Sequence, residues 1–137
     1  MHPILRNILA LIAGLILGGF LNSFLVGMST DVIPPPDGVT YDPNDLESIK
    51  AAMPHFKPIN FLMPFLAHAL GTLLGAFIAA KFSANRHLLL AMIVGVFFLA
   101  GGIMVNRMIP GPMWFTVTDI VLAYIPMAFI GFKLAGR

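Results

Sequence analysis

Residues 113–134 read MWFTVTDIVLAYIPMAFIGFKL, an apolar stretch long enough to cross a bilayer, and they contain one carboxylate, Asp119. A charged side chain at the centre of a membrane helix costs roughly 2.5–3.5 kcal/mol on insertion scales. Such a group is therefore normally paired, protonated or placed beside water. Asp119 is the first residue to consider as a ligand-binding or proton-binding group, and a structural role as a helix cap or ion-pair partner is the alternative.

The composition excludes several classes of protein. The 137-residue chain is 58% hydrophobic and 10% charged, which is typical of integral membrane proteins. It has no cysteine, so disulfides and thiolate nucleophiles are excluded. Its Lys and Arg residues are scattered without a basic run, which argues against a nucleic-acid partner. The expected partner is the lipid bilayer, and no cofactor or metal is predicted.

Three other apolar stretches complete the predicted fold. They cover residues 4–28, 59–82 and 88–108, and with 113–134 they predict an all-α integral membrane protein with four transmembrane helices in an antiparallel bundle. The spans use most of the chain, so residues 1–137 are predicted to form a single membrane domain.

Residues 29–58 form the hydrophilic loop and carry five of the six acidic residues. Asp42 is expected to cap a short surface helix, with Pro43 at its first position and an end near Met53. Leu46, Ile49 and Met53 then share one side, which predicts that the helix lies on the membrane surface or over the mouth of the bundle.

Small residues recur along the first two spans at the fourfold spacing of a helix face. Such faces allow helix backbones to approach closely in a bilayer. The pattern predicts that the two spans pack on each other or on another copy of the chain. The residues are Ala10, Gly14 and Gly18 in the first span, and Ala67, Gly71, Gly75 and Ala79 in the second.

Lys and Arg near the span ends set the expected orientation. Five of them share one side of the predicted topology (Arg6, Lys81, Arg86, Lys133 and Arg137), and three lie on the other (Lys50, Lys57 and Arg107). Because cytoplasmic loops carry more Lys and Arg, this bias favours both termini in the cytoplasm and the acidic loop outside. The predicted location is the cytoplasmic (inner) membrane.

In that topology the polar residues of different spans share the outer half of the bilayer. At 1.5 Å per residue, Asn22, His68 and Asp119 lie about 9–13 Å below the outer span ends, and Arg107 lies at the rim within reach of Asp119. Thr72 lies one turn from His68. These five residues are the candidate ligand, ion or proton site, although His68 could equally be a neutral histidine satisfied by Thr72 or a carbonyl.

Two structural alternatives apply to the last span. Residues 115–118 favour an extended backbone, so the helix could begin at Asp119 with that residue as its N-cap. In a continuous helix, Tyr124 would lie about 140° around the axis from Asp119, so it is left out of the site.

The chain resembles small multidrug transporters and small fluoride channels in size and number of spans. Gly71-Thr72-Leu73 is similar to the start of a channel motif, but Gly75-Ala76 replaces its asparagine region. The first span also lacks the glutamate of the transporters. Neither family is therefore assigned.

Two functions agree with these features. The first is a non-enzymatic homo-oligomeric or accessory membrane subunit that packs through its small-residue faces. The alternative is a small transporter or channel with an outer-half site built from Asp119, His68, Asn22 and Arg107. An enzyme is not favoured and no catalytic residue is predicted, because no H-E-x-x-H or G-x-S-x-G motif is present.

Overall fold

The computed structural model describes residues 1–137, of which 77% are in helices and none in strands. Four helical segments are long and apolar enough to span a membrane, and their ends lie within one residue of the predicted ranges. They are Pro3–Gly27, Pro58–Phe82, His87–Met108 and Met113–Leu134.

The chain forms seven α-helices, because a short helix follows the first span, one lies in the loop, and the last span is divided. They are α1 (Pro3–Gly27), α2 (Ser29–Val32), α3 (Leu46–Ala52), α4 (Leu62–Phe82), α5 (His87–Met108), α6 (Met113–Leu122) and α7 (Ile125–Leu134). Two 3₁₀ turns, Met53–His55 and Pro58–Phe61, join α3 to α4.

Helix α4 is the centre of the bundle and packs against α1, α5 and α7. Half of the residues in the apolar 18-residue stretch of the α4 span are buried, whereas only 17% of those in the corresponding stretch of α1 are. Helix α1 therefore lies at the edge of the bundle. The main apolar cluster joins α4, α5 and α7 and consists mostly of alanines. Each of its residues is at most 8% exposed. They are Ala76, Ala79, Ala80, Leu90, Ala91, Val94, Ala128 and Ala135.

The α1–α4 seam is formed by Gly14 and Gly18 facing Gly71, Gly75 and Ala79. A Cβ added at Gly18 would lie 2.5 Å from the Gly71 carbonyl oxygen and 3.0 Å from the Gly75 Cα. The two backbones are therefore in direct contact, which the small residues at these positions allow. The spacing predicted that the two spans pack on each other or on another copy of the chain. In the structure they pack on each other.

The last span is interrupted at Ala123 and Tyr124, which separate α6 from α7. Pro126 has no N–H to donate to the carbonyl of Leu122, and its ring disfavours a continuous helix there. The break lies before Pro126, and Tyr124, which immediately precedes α7, has φ −118° and ψ −77°.

The fourth span does not begin at Asp119, so the alternative in which that residue caps the helix is wrong. The exclusion of Tyr124 from the site assumed a continuous helix, and the break invalidates that assumption. Helix α6 begins at Met113 with Pro112 before it, so Asp119 lies inside the helix and is not an N-cap.

The loop helix begins three residues later than predicted. Asp45, not Asp42, caps it by accepting a hydrogen bond of 3.3 Å from the Glu47 N–H. Asp42 instead accepts a hydrogen bond of 2.9 Å from the Asn44 N–H, which holds Pro43 in a turn. The prediction for Asp42 was wrong because an Asp side chain closes a turn as readily as it caps a helix.

Candidate functional site

A cavity of about 230 Å³ lies between the loop helix and the four long segments. Leu46, Ile49 and Met53 of the loop line it, so the shared side predicted for the loop helix faces the bundle. Four aromatic side chains form much of the wall: Tyr41, Phe56, Phe61 and Phe115. The polar groups on the bundle side belong to Asn22, His68 and Asn106.

His68 connects this cavity to a buried carboxylate. Its Nδ1 lies 2.7 Å from Asp119 Oδ1. The Asp119 side chain is 0% exposed, whereas that of His68 is 17% exposed and lines the cavity. Asp119 does not line the cavity, so it is connected to the cavity only through side chains that contact Asp119. The His68 imidazole is the closest of these.

The second carboxylate oxygen also has partners. The Tyr124 hydroxyl donates to Asp119 Oδ2 at 2.9 Å, and Asn106 Nδ2 lies 3.5 Å from the same oxygen. Asn106 Nδ2 also donates to the Gly102 carbonyl at 2.9 Å, and Thr116 Oγ1 donates to Asn106 Oδ1 at 3.3 Å. We call His68, Asn106, Thr116, Asp119 and Tyr124 the polar cluster.

Every buried side-chain nitrogen and oxygen in the chain, those of the polar cluster included, has a hydrogen-bond partner. Burying a polar group without such a partner is costly, and more so in an apolar surrounding. The network therefore removes the main penalty of placing Asp119 inside an apolar segment.

The interruption of the last span brings Tyr124 to Asp119. Its ring lies nearly parallel to that of His68, with 5.9 Å between ring centroids and 25° between planes. A Cβ added at Gly102 would overlap the Tyr124 hydroxyl, so this glycine makes room for the phenol. Tyr124 and Gly102 together place a donor on the carboxylate that a regular helix would direct elsewhere.

An imidazole beside a carboxylate has two protonation states that differ by one proton. A neutral imidazole donates its Nδ1–H to the Asp119 carboxylate and leaves Nε2 as an acceptor. One added proton makes the pair neutral overall, either as an imidazolium beside a carboxylate or as an imidazole beside a carboxylic acid. These two states of the His68–Asp119 pair differ by one unit of charge.

The predicted site residues have different places in the structure. His68 and Asp119 contact each other, and Asn22 lines the same cavity as His68. Thr72 is buried, but its hydroxyl donates to the His68 carbonyl at 2.8 Å within the same helix, so it does not reach the cluster side chains.

Arg107 is not part of the cluster. The structure contains no ion pair between it and Asp119, and its side chain is exposed. One residue step turns a helix by about 100°, so Asn106 faces the bundle and Arg107 faces away. Proximity along the chain favoured the wrong neighbour.

Sequence reasoning missed three cluster members, Asn106, Tyr124 and Thr116. Asn106 lies four residues beyond Gly102, on the small-residue face of the third span, and that spacing could have identified it. Tyr124 could not be found by helix geometry, because its position depends on the break.

Comparison with protein-family models, characterised proteins and solved structures gave no match, so no family is assigned to the chain. The site is therefore interpreted from its own geometry. The cluster contains one imidazole and one carboxylate, and no group of three or more metal-binding side chains occurs in the chain.

Proposed function

We propose that this chain is an integral membrane protein of four antiparallel spans that binds a small amphipathic cation in its loop-side cavity and exchanges it for a proton at the His68–Asp119 pair. The proposed class is a small transporter with a proton-coupled site. The observation that carries the proposal is the dual contact of His68, which lines the cavity and lies 2.7 Å from the buried Asp119.

Membrane insertion is supported by the outer surface of the helices. Large apolar side chains there are exposed, such as Phe20 at 70%, Ile16 at 63% and Phe97 at 59%. Surfaces of this kind are stable against lipid tails and not against water. The Lys and Arg distribution supports an orientation with both termini in the cytoplasm and the cavity open toward the outside.

The walls of the cavity support a cationic ligand with an apolar body. Aromatic rings attract cations through their faces, and the apolar wall suits a hydrocarbon group. The loop above carries five carboxylates against Lys50 and Lys57, which raises the local concentration of cations at the mouth. Asp119 supplies the one negative charge beneath the cavity.

Charge balance supports exchange for a proton. With an extra proton, the His68–Asp119 pair has no net charge, and a bound cation would be left without a partner in an apolar surrounding. Loss of that proton restores one negative charge, which the cation can then neutralise. Binding of the cation and of the proton are therefore expected to oppose each other.

The interrupted last span supports transport over simple binding. Discontinuous membrane helices commonly form substrate and ion sites in transporters. Here the break at Ala123 and Tyr124 lies one helical turn after Asp119, and the Tyr124 hydroxyl contacts that carboxylate. The packed alanine cluster on the other side supports access to the site from the loop side.

A homo-oligomeric or accessory subunit stays a prediction. Its main support was the small-residue faces of the first two spans, and these are used within the chain in the α1–α4 seam. No other surface of the structure gives it specific support.

The test is calorimetric titration of the purified protein with benzyltrimethylammonium and with its uncharged carbon analogue neopentylbenzene. Titrations in two buffers with different ionisation enthalpies count the protons released. We expect the cation to bind and to release about one proton, and Asp119→Asn to weaken binding by about tenfold and abolish the release. Equal affinity for both compounds, or unchanged proton release in Asp119→Asn, would contradict the proposal.

A further inference from the structure

A second groove lies at the opposite end of the bundle, between the start of α1 and the start of α5. Its volume is about 440 Å³. Ile4, Ile8, Leu11 and Leu90 form an apolar wall along the groove. Its polar residues are Asn7, Asn85 and Arg86, so one end of the groove is polar and the rest suits a hydrocarbon chain.

The polar end is organised by hydrogen bonds around Asn7. Asn7 Nδ2 donates to Asn85 Oδ1 at 2.8 Å, and Asn7 Oδ1 accepts from the Ala84 N–H at 2.8 Å. These bonds use the oxygen of the Asn85 amide and leave its NH₂ group available as a donor. The polar end of the groove therefore has a donor that its internal hydrogen bonds do not use.

Arg86 adds an unpaired charge. Its guanidinium makes no hydrogen bond or salt bridge in the structure, although those of Arg6 and Arg137 both donate to backbone carbonyls nearby. Arg86 also has a φ of 54°, the left-handed region that a large side chain rarely adopts. The backbone is held in this conformation at the residue that bears the free cation.

The charge around the groove is of one sign. Arg6, Lys81, Lys133 and Arg137 share this end with Arg86, and all six acidic residues lie in the loop or in α6. An occupant that complements the groove therefore has an anionic head and an apolar tail. In a bilayer, a phospholipid has both.

We propose that this groove is a binding site for one anionic membrane phospholipid, with its phosphate at Arg86 and the Asn85 amide and one acyl chain along Ile4, Ile8 and Leu90. The lipid fills the space between α1 and α5, which otherwise contact each other little because both pack mainly on α4. The site is independent of the cavity on the loop side and needs only membrane insertion.

The experiment is native mass spectrometry of the full chain, exchanged from detergent into mixed micelles with dioleoyl phosphatidylglycerol or dioleoyl phosphatidylcholine. We expect one phosphatidylglycerol to be retained per chain, and phosphatidylcholine to be retained more weakly. Arg86→Gln should reduce retention by about tenfold, because a charge-assisted phosphate contact is lost. Equal retention of the two lipids, or an unchanged Arg86→Gln variant, would overturn the site.

Arg107→Gln is the matched control, since Arg107 is an exposed arginine at the other end of the same helix. It should retain phosphatidylglycerol as the parent protein does, whereas an equal loss would show nonspecific attraction and overturn the proposal. Ile8→Trp should displace the lipid by filling the groove while leaving Arg86 intact. Continued retention in Ile8→Trp would contradict the placement of the acyl chain.

Two further arms identify the source of the phosphate and the effect of the strained backbone. Inorganic phosphate alone should not compete with phosphatidylglycerol at the concentration at which dodecyl phosphate does. Equal competition by the two compounds would show that the groove binds a soluble anion and would overturn the lipid site. Arg86→Gly removes the guanidinium and relieves the positive φ, so it should raise thermal stability while lowering lipid retention. Undiminished lipid retention in this variant would contradict the role of Arg86.

Discussion

The contact of α4 with α1 and its contact with α6 are stabilised in opposite ways. Toward α1, the α1–α4 seam brings the backbones at Gly71 and Gly75 into direct contact with Gly14 and Gly18. Toward α6, His68 meets Asp119 in a hydrogen-bonded cluster. The seam depends on the absence of side chains, whereas the cluster depends on the chemistry of the side chains present.

In the proposed membrane setting, this difference follows from the solvent. Lipid tails are as apolar as leucine, so apolar burial gives helices in a bilayer little reason to associate. What remains is close van der Waals contact, which the seam maximises, and interhelical hydrogen bonding, which the cluster supplies. Added volume should therefore damage the seam, and loss of a donor or acceptor should damage the cluster.

The largest effect is expected for Asp119→Leu. The change leaves His68, Tyr124 and Asn106 without their shared acceptor inside the bundle, which should lower the free energy of unfolding by about 3–5 kcal/mol. Steric-trapping unfolding in bicelles measures this value. Val117→Leu, two residues away on an exposed face, is the control and should change little. A cost below that of the control would show that the cluster adds no stability.

A smaller loss is expected for Gly18→Val in the seam. The new side chain would meet the Gly71 carbonyl and the Gly75 backbone, so we expect a loss of about 1–3 kcal/mol from overpacking. Gly19→Val is a matched control, because nothing lies within 4 Å of a Cβ there. Thermal denaturation in detergent compares the two variants. Equal effects would mean that the loss comes from β-branching alone and not from the seam.

Tyr124→Phe removes one hydrogen bond of the cluster and keeps the ring. Interhelical hydrogen bonds in membrane proteins contribute about 0.6 kcal/mol on average and up to about 1.7 kcal/mol, and we expect a loss in that range. Tyr41→Phe removes a hydroxyl that makes no hydrogen bond in the structure and should not alter stability. If both variants lose the same stability, the hydroxyl contact with Asp119 is not stabilising.

The smallest effect is expected for Arg107→Gln. Its side chain is exposed and does not pair with Asp119, so the free energy of unfolding should change by less than about 0.5 kcal/mol. Cation affinity should also be unchanged in the calorimetric assay. A loss comparable to that of Asp119→Asn would restore the ion pair that the sequence suggested.

The two regions also differ in how far they could be predicted from the sequence. The helix boundaries and the seam follow from local patterns, namely apolar length and a fourfold spacing of Gly and Ala. His68, Asn22 and Asp119 could be selected because polar residues are rare inside spans. Their depth could then be estimated from the helical rise.

The partners of Asp119 could not be predicted in the same way. Arg107 was favoured because it is close in sequence, but the rotation of α5 directs Asn106 inward instead. Tyr124 was excluded by assuming a continuous helix, and the break before Pro126 invalidated that assumption. Rotation and breaks depend on packing between helices, which a single local pattern does not contain.

The role of His68 as the link between cavity and carboxylate can be measured by a double-mutant cycle on benzyltrimethylammonium affinity. The variants are His68→Gln, Asp119→Asn and the double substitution, each titrated in the same lipid. We predict that each single variant weakens binding by about tenfold and that the double variant binds no more weakly than the weaker single variant. Losses that multiply to about a hundredfold would show that the two residues act independently, and would contradict the account.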